Sequence, residues 1–192
     1  LQDGKDPVLV VTPADQTIAD AAAFTAAMHA AVQQAATDAI VILGVAPDRP
    51  ETGYGYILAS GAHSPLTVDR FVEKPDTATA QRYLDQGGYY WNAGIFVLKA
   101  SVWMTALQRF CPAMAQGMQA AWAAREQDTQ TSVAGMTFVR PGPAGFEAVA
   151  SQSVDYAVLE PLAAAPRGAD LPPLKMIPLQ AGWNDLGAWE AV

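Results

Sequence analysis

An acid and a base stand side by side in "RFVEKPDT", Arg70 to Thr77. Glu73 can accept hydrogen bonds from sugar hydroxyls, and Lys74 offers a point charge to a phosphate. Successive strand residues face opposite sides, so both reach one ligand only if the chain bends there. Pro75 gives a reason for a bend. A solvated strand end closed by a turn is the alternative. Two aspartates, Asp15 in "TPADQ" and Asp185 in "AGWNDLGAW", each follow a stretch that reads as a buried strand. In open α/β sheets that edge is where ligands bind, and Mg²⁺ takes one or two protein carboxylates beside water and phosphate oxygens. Each aspartate equally suits a plain turn. Trp183 and Trp189, large aromatics in a loop flanked by Gly182 and Gly187, argue that the second loop is packed in place.

Other polar residues are less committed. In "PETGYGYI", Tyr54, Gly55 and Tyr56 would let backbone amides approach a ligand closely, or form a hairpin-like turn. The stretch matches neither of the glycine-rich phosphate loops, G-x-x-x-x-G-K-[ST] and G-x-G-x-x-G. Asn92 in "YWNAG" both donates and accepts, as sugar hydroxyls require, or serves as a buried structural amide. Asp155 and Tyr156 in "SVDYAV" are a site or a helix start. His29 and His63 have no evident partner.

The elements that must position these residues follow from hydrophobic periodicity. "VLVVT" (Val8 to Thr12) and "AIVILGVAP" (Ala39 to Pro47) are continuous apolar runs, as strands buried on both faces require. Between them a helix is predicted from about Ile18 to Ala36, with Phe24, Met28 and Val32 on one face. This rhythm predicts a parallel sheet with a crossover helix. Further strands are predicted from about Gly55, over "LTVDRFVE", over Trp91 to Lys99, at Met136 to Arg140 and over "LKMIPL". Helices are predicted at Thr77 to Gln86, stopped by Gly87 and Gly88, then from an N-cap at Ser101 to Phe110. Two more are predicted at Ala113 to Arg125, after a break at Cys111-Pro112, and from Ser151 or Ser153. The region Gln127 to Gly145 is otherwise loop, and "AGWNDLGAWEAV" is a loop entering a helix. One domain over residues 1–192 is expected, with both ends cut from something longer.

Bulk composition narrows the function classes. At 192 residues, 51% hydrophobic and 16% charged, the chain suits a globular domain with a sizeable core. A net charge of −8 argues against nucleic acid or an anionic membrane surface as partner. An anionic ligand must therefore meet local cations or a metal. No apolar run reaches the roughly 18 residues of a membrane span. The single cysteine, Cys111, excludes an intrachain disulfide and fits a cytoplasmic protein.

Taken in order, "PADQ", "PETGYGYI", "FVEKPD", "YLDQGGYYWNAGIFVLKAS", "SVDYAVLE" and "AGWNDLGAW" resemble the mannose-1-phosphate guanylyltransferases, within the sugar-nucleotide pyrophosphorylases. The resemblance runs from Val8 to Trp189. It implies a Rossmann-like nucleotidyltransferase fold, a mostly parallel mixed sheet flanked by helices. It implies formation of GDP-mannose and pyrophosphate from GTP and mannose 1-phosphate, and it allows a homodimer. By the same resemblance Asp15 and Asp185 hold the catalytic Mg²⁺ and Lys74 binds the sugar phosphate. Glu73, Asn92 and the backbone at Tyr54 and Gly55 hold the mannose, with Asp155 on the sugar side.

Three departures accompany it. Gln16 stands where the family usually carries His, Pro161 stands where Lys commonly follows "SVDYAVLE", and no G-G-x-G-T-R-L-x-P stretch occurs in the chain. The expectation is a fragment holding the sugar half and the metal carboxylates, inactive alone. The alternatives are a nucleotidyltransferase for another hexose 1-phosphate such as glucose 1-phosphate, a non-catalytic sugar-phosphate-binding regulatory module, and a structural α/β domain.

Overall fold

A computed structural model describes residues 4–128, 138–166 and 170–186. The first apolar run forms strand β1 (Val8–Val11), and the next strand, β2 (Thr17–Ile18), is only two residues long. Helix α1 (Ala21–Ala35) starts later than the predicted Ile18, because Asp20 is its cap and accepts from the Ala22 and Ala23 amides. Its buried side is made by Ala31 and Ala35, with Phe24 and Met28 packed beside them. Val32, expected on that face, is exposed. Strand β3 (Ile40–Val45) is buried almost throughout.

Strands β4 (Tyr56–Ser60) and β5 (Leu66–Val72) form a hairpin. Helix α2 (Thr77–Gln86) is capped by Asp76 and stopped at Gly87 with φ 71°, as the sequence predicts. Strand β6 (Tyr89–Lys99) begins two residues before the predicted Trp91. Helix α3 (Ala100–Phe110) is not capped by Ser101. The Ser101 amide and hydroxyl both donate to Asp6, so a carboxylate from the start of the chain caps the helix instead. Helix α4 (Pro112–Ala123) carries Pro112 in its first turn, where the missing N–H costs nothing.

The short strands β7 (Glu126–Asp128) and β8 (Phe138–Arg140) pair with each other, and α5 (Pro143–Glu147) occupies part of a stretch predicted as loop. A π-helical turn (Asp155–Leu159) leads into α6 (Glu160–Ala164), with Ser153 accepting from the Tyr156 and Ala157 amides at its start. Strands β9 (Leu174–Pro178) and β10 (Trp183–Asn184) follow. Met136, Gly187, Trp189 and the predicted final helix lie outside the described residues.

The main sheet has the order β1-β6-β3-β9-β5-β4, and β4 also pairs with β6. The sheet is mixed and flanked by helices, but its pairings are not mostly parallel. Among the described residues, only β3–β9 is parallel in the main sheet. The predicted β1–α1–β3 crossover does leave β1 and β3 running the same way, yet β6 lies between them and opposes both. Side chains alternate across this sheet as strand geometry dictates. Ile40, Ile42, Phe96, Leu98 and Met176 face α3, α4 and α6, while Val41, Leu43, Ile95, Val97 and Ile177 face α1. Burying each of these apolar side chains contributes roughly 1.5–3 kcal/mol. A third cluster, of Tyr56, Ala80, Tyr83, Tyr89 and Trp91, seats α2 beside the ends of β4 and β6. Among the described residues no helix is long and apolar enough to cross a membrane.

Candidate active site

Strand β5 ends at Val72, and the chain turns sharply at Lys74, whose φ is +46°. That left-handed backbone is uncommon for a side-chain-bearing residue and costs on the order of 1 kcal/mol or more. It answers the geometrical problem posed by adjacent residues. Glu73 and Lys74 do not point apart: Lys74 Nζ lies 3.5 Å from Glu73 Oε1. The lysine is 57% exposed and the glutamate only 7%. Glu73 Oε2 is buried and has no hydrogen-bond partner among the described residues. Burial, and next the nearby Asp155, push the Glu73 carboxyl above its ordinary range, against the pull of Lys74. Glu160 at the start of α6 accepts weakly from the Glu73 amide, at 3.4 Å.

Gly55 forms the wall beside that carboxylate. A Cβ there would lie 2.5 Å from Glu73 Oε2, 3.1 Å from Phe71 Cζ and 3.4 Å from Asn92 Cβ, so no other residue fits without moving them. The Gly55 carbonyl accepts from the Asn92 amide at 2.8 Å, which ties the loop to β6. Asn92 is itself oriented: Nδ2 donates to Asp155 Oδ1 at 2.9 Å, and Oδ1 accepts from the Gly94 amide at 3.0 Å. Gly94 has φ +70°, and a Cβ on it would press on Pro13. Asp155 opens the π-helical turn, and burial raises its carboxyl pKa despite the bonds it accepts. Glu73, Lys74, Gly55, Asn92 and Asp155 are therefore brought together around one spot.

The segments that carry the two predicted metal residues meet through a different device. Strands β2 and β10 pair antiparallel, Ile18 against Trp183 and Thr17 against Asn184. The same register sets Asp185 opposite Gln16, next to Asp15. Gln16 Nε2 donates to Asp185 Oδ1 at 3.2 Å and to the Ala93 carbonyl at 2.9 Å, while its Oε1 accepts from Trp183 Nε1 at 2.9 Å. Asp15 is exposed and Asp185 half-buried. The Leu186 amide closes a turn onto Asn184 Oδ1 at 2.8 Å, with Leu186 at φ +51°. Tyr54 joins the two parts, its ring edge-on to Trp91 at 5.3 Å and to Trp183 at 5.5 Å. Burial, then the charges of Asp185 and Glu51, raise the Tyr54 phenol pKa.

Among the described residues no cluster of three or more His, Cys, Asp or Glu side chains stands ready to enclose a metal. Mg²⁺ keeps several waters and binds through one or two carboxylates, with phosphate oxygens completing its shell. Asp15 and Asp185, hard oxygen donors on neighbouring segments, fit that donor set. Sequence reasoning marked Gln16 as a departure from the family's His and Trp183 as an aromatic packing its loop, but named none of their partners, and it missed Glu160. A further signal was that Gln16 and Trp183 each sit within two residues of an aspartate already singled out.

A nucleotidyl transferase family model matches residues 1–192. The chain is 42% identical over 191 residues to the xanthan biosynthesis protein XanB of Xanthomonas campestris pv. campestris B100, covering all of this chain and 38% of XanB. It is 37% identical over 193 residues to the mannose-1-phosphate guanylyltransferase of Escherichia coli K12, covering 97% of this chain and 37% of that protein. The chain thus spans well under half the length of these relatives. A crystal structure described as mannose-6-phosphate isomerase from Helicobacter pylori superposes with TM-score 0.81 at 29% identity, over 94% of this chain and 65% of the other. One described as mannose-1-phosphate geranyltransferase from Thermus thermophilus superposes with TM-score 0.75 at 26% identity, over 96% and 48%. With a full-length family match, a mixed α/β fold shared with these structures and the resemblance to mannose-1-phosphate guanylyltransferases upheld, the chain belongs to the nucleotidyl transferase family.

Proposed function

We propose that the protein carrying this chain is a mannose-1-phosphate guanylyltransferase, joining GTP and mannose 1-phosphate into GDP-mannose with release of pyrophosphate. The observation that carries this reading is the Glu73–Lys74 pair. A buried carboxylate oxygen without a protein donor among the described residues lies beside an exposed ammonium, 3.5 Å from the other carboxylate oxygen. A buried acceptor left open calls for a donor from a ligand, since leaving it unmet costs about 1–3 kcal/mol. A sugar hydroxyl supplies the donor and its phosphate meets the lysine.

In this reading Glu73 and the Asn92–Asp155 pair hold mannose hydroxyls, and the Gly55 backbone lets the ring come close. Lys74 holds the 1-phosphate. That phosphate is already an anion near neutral pH, so it needs no general base to attack the α-phosphorus of GTP. A new phosphorus–oxygen bond forms as the bond to pyrophosphate breaks. The protein's part is to align two anions and offset their charge. Asp15 and Asp185 would hold Mg²⁺, which supplies charge neutralisation at the transferred phosphorus. The proposal includes no turnover by these 192 residues alone, which carry no G-G-x-G-T-R-L-x-P stretch.

The test is a calorimetric titration of this chain with mannose 1-phosphate and Mg²⁺, beside glucose 1-phosphate and a Lys74→Ala control. Binding that prefers mannose and falls by at least about tenfold in Lys74→Ala is the expected result. Equal binding of both sugars would replace mannose with hexose phosphates in general, and binding indifferent to Lys74→Ala would overturn the site.

A further inference from the structure

Gln16 sits where three segments meet. Its amide donates to the Ala93 carbonyl of β6 and to Asp185 Oδ1, and accepts from the indole of Trp183 in β10. Both donor hydrogens and one acceptor lone pair are in use. Only one orientation of the amide does this. Turned over, its carbonyl would face the Ala93 carbonyl and the Asp185 carboxylate, and its N–H₂ would face the indole N–H. All three contacts would then be lost together.

The chemistry of the group matters as much as its reach. An amide carries no charge, so it orients Asp185 and leaves the carboxylate's full negative charge for a cation. A lysine here would neutralise that charge, and a glutamate would repel it. The contact at Ala93 ties the same amide to the residue between Asn92 and Gly94, on the strand that carries the sugar-side amide. We propose that Gln16 is a positioning residue of the transfer: it sets the Asp185 carboxylate at a fixed place relative to β6, and so relative to Asn92. The inference rests on reading Asp185 as a metal-holding carboxylate.

The experiment uses Mn²⁺ as a probe for Mg²⁺. Free Mn²⁺ is followed by electron paramagnetic resonance as it is titrated into this chain, Gln16→Ala, Gln16→Met and Asp185→Asn. Gln16→Met keeps the volume and removes every hydrogen bond. The tryptophan indole N–H resonances and the melting temperature of each variant are recorded without metal. Removing an outer partner of a metal ligand weakens binding by about tenfold or more, and that loss is expected in both Gln16 variants. The Trp183 indole resonance is expected to shift in both, while Asp185→Asn loses the site. If Asp185→Asn loses Mn²⁺ but the Gln16 variants bind as the unaltered chain does, Gln16 serves packing alone and the inference fails while the metal reading stands. A fall in melting temperature without a change in affinity overturns the inference in the same way. If the unaltered chain binds no Mn²⁺, or Asp185→Asn binds it equally, the metal reading fails and takes this inference with it.

Discussion

At the scale of single residues, the site places charge where the fold would rather have none. Burial, aided by Asp155, raises the Glu73 pKa above its ordinary 4.5, and burial raises that of Asp155 above 3.8. A carboxyl with a raised native pKa contributes its stability while protonated, and loses it as pH climbs through that pKa. Near neutral pH both groups therefore oppose folding. Glu73→Gln is expected to raise stability by about 1 kcal/mol and to abolish mannose 1-phosphate binding, read by thermal melts and calorimetry near neutral pH. A melting temperature below that of the unaltered chain would sink this account. Glu73, Lys74, Asn92 and Asp155 could all be named from the sequence, because each stands in a distinctive short pattern. The left-handed turn at Lys74 could not, since Pro75 signals a bend without saying at which residue. The partners of Gln16 lie 77, 167 and 169 residues away, where no local pattern reaches.

At the scale of elements, the cap on α3 shows how a distant residue replaces a local signal. Ser101 has the right side chain for an N-cap, but it lies inside the helix, and Asp6 accepts from its amide at 2.9 Å and its hydroxyl at 2.6 Å. These bonds hold the Asp6 carboxyl below its ordinary 3.8. A carboxyl with a lowered native pKa contributes stability above its unfolded pKa, and loses it as pH falls through the native value. Asp6→Ala is thus expected to melt a few degrees lower than the unaltered chain near neutral pH, with the gap closing on acidification below 3.8. A gap that persists in acid would assign the loss to packing. The long buried strands were legible because continuous apolar runs admit few other readings. Strands β2 and β10 were not, because two residues carry no periodicity, and Ile18 passed for the start of a helix. The parallel reading of the sheet failed for a related reason. Periodicity identifies strands but says nothing of which neighbour slides between them.

At the scale of the whole molecule, the sheet carries its protection at the centre. Residues Ile40 to Leu43 are at most 1% exposed, and β3 is hydrogen-bonded on both sides, to β6 and β9. Hydrogen exchange is expected to be slowest at these amides and their β6 partners, and fastest among the described helices in α5, which has no buried residue. Comparable protection of α5 and β3 would contradict the architecture. The sugar-side part of the site leans on this centre: Asn92 and Gly94 lie on β6, which pairs with β3, and Gly55 is tied to Asn92.

The pairing of β9 has a further consequence, in the order of synthesis. A ribosome makes Leu174–Pro178 after every other described strand of the main sheet, yet that strand lies between β3 and β5. Leu174 pairs with Ile40, made 134 residues before it. Until β9 emerges, β3 and β5 each present an open edge in the middle of the protein, the kind of edge that recruits other chains. Between the synthesis of Val72 and that of Leu174 the nascent chain holds that gap unfilled. Strand β9 is a keystone, and the described sheet cannot close around the site before it arrives.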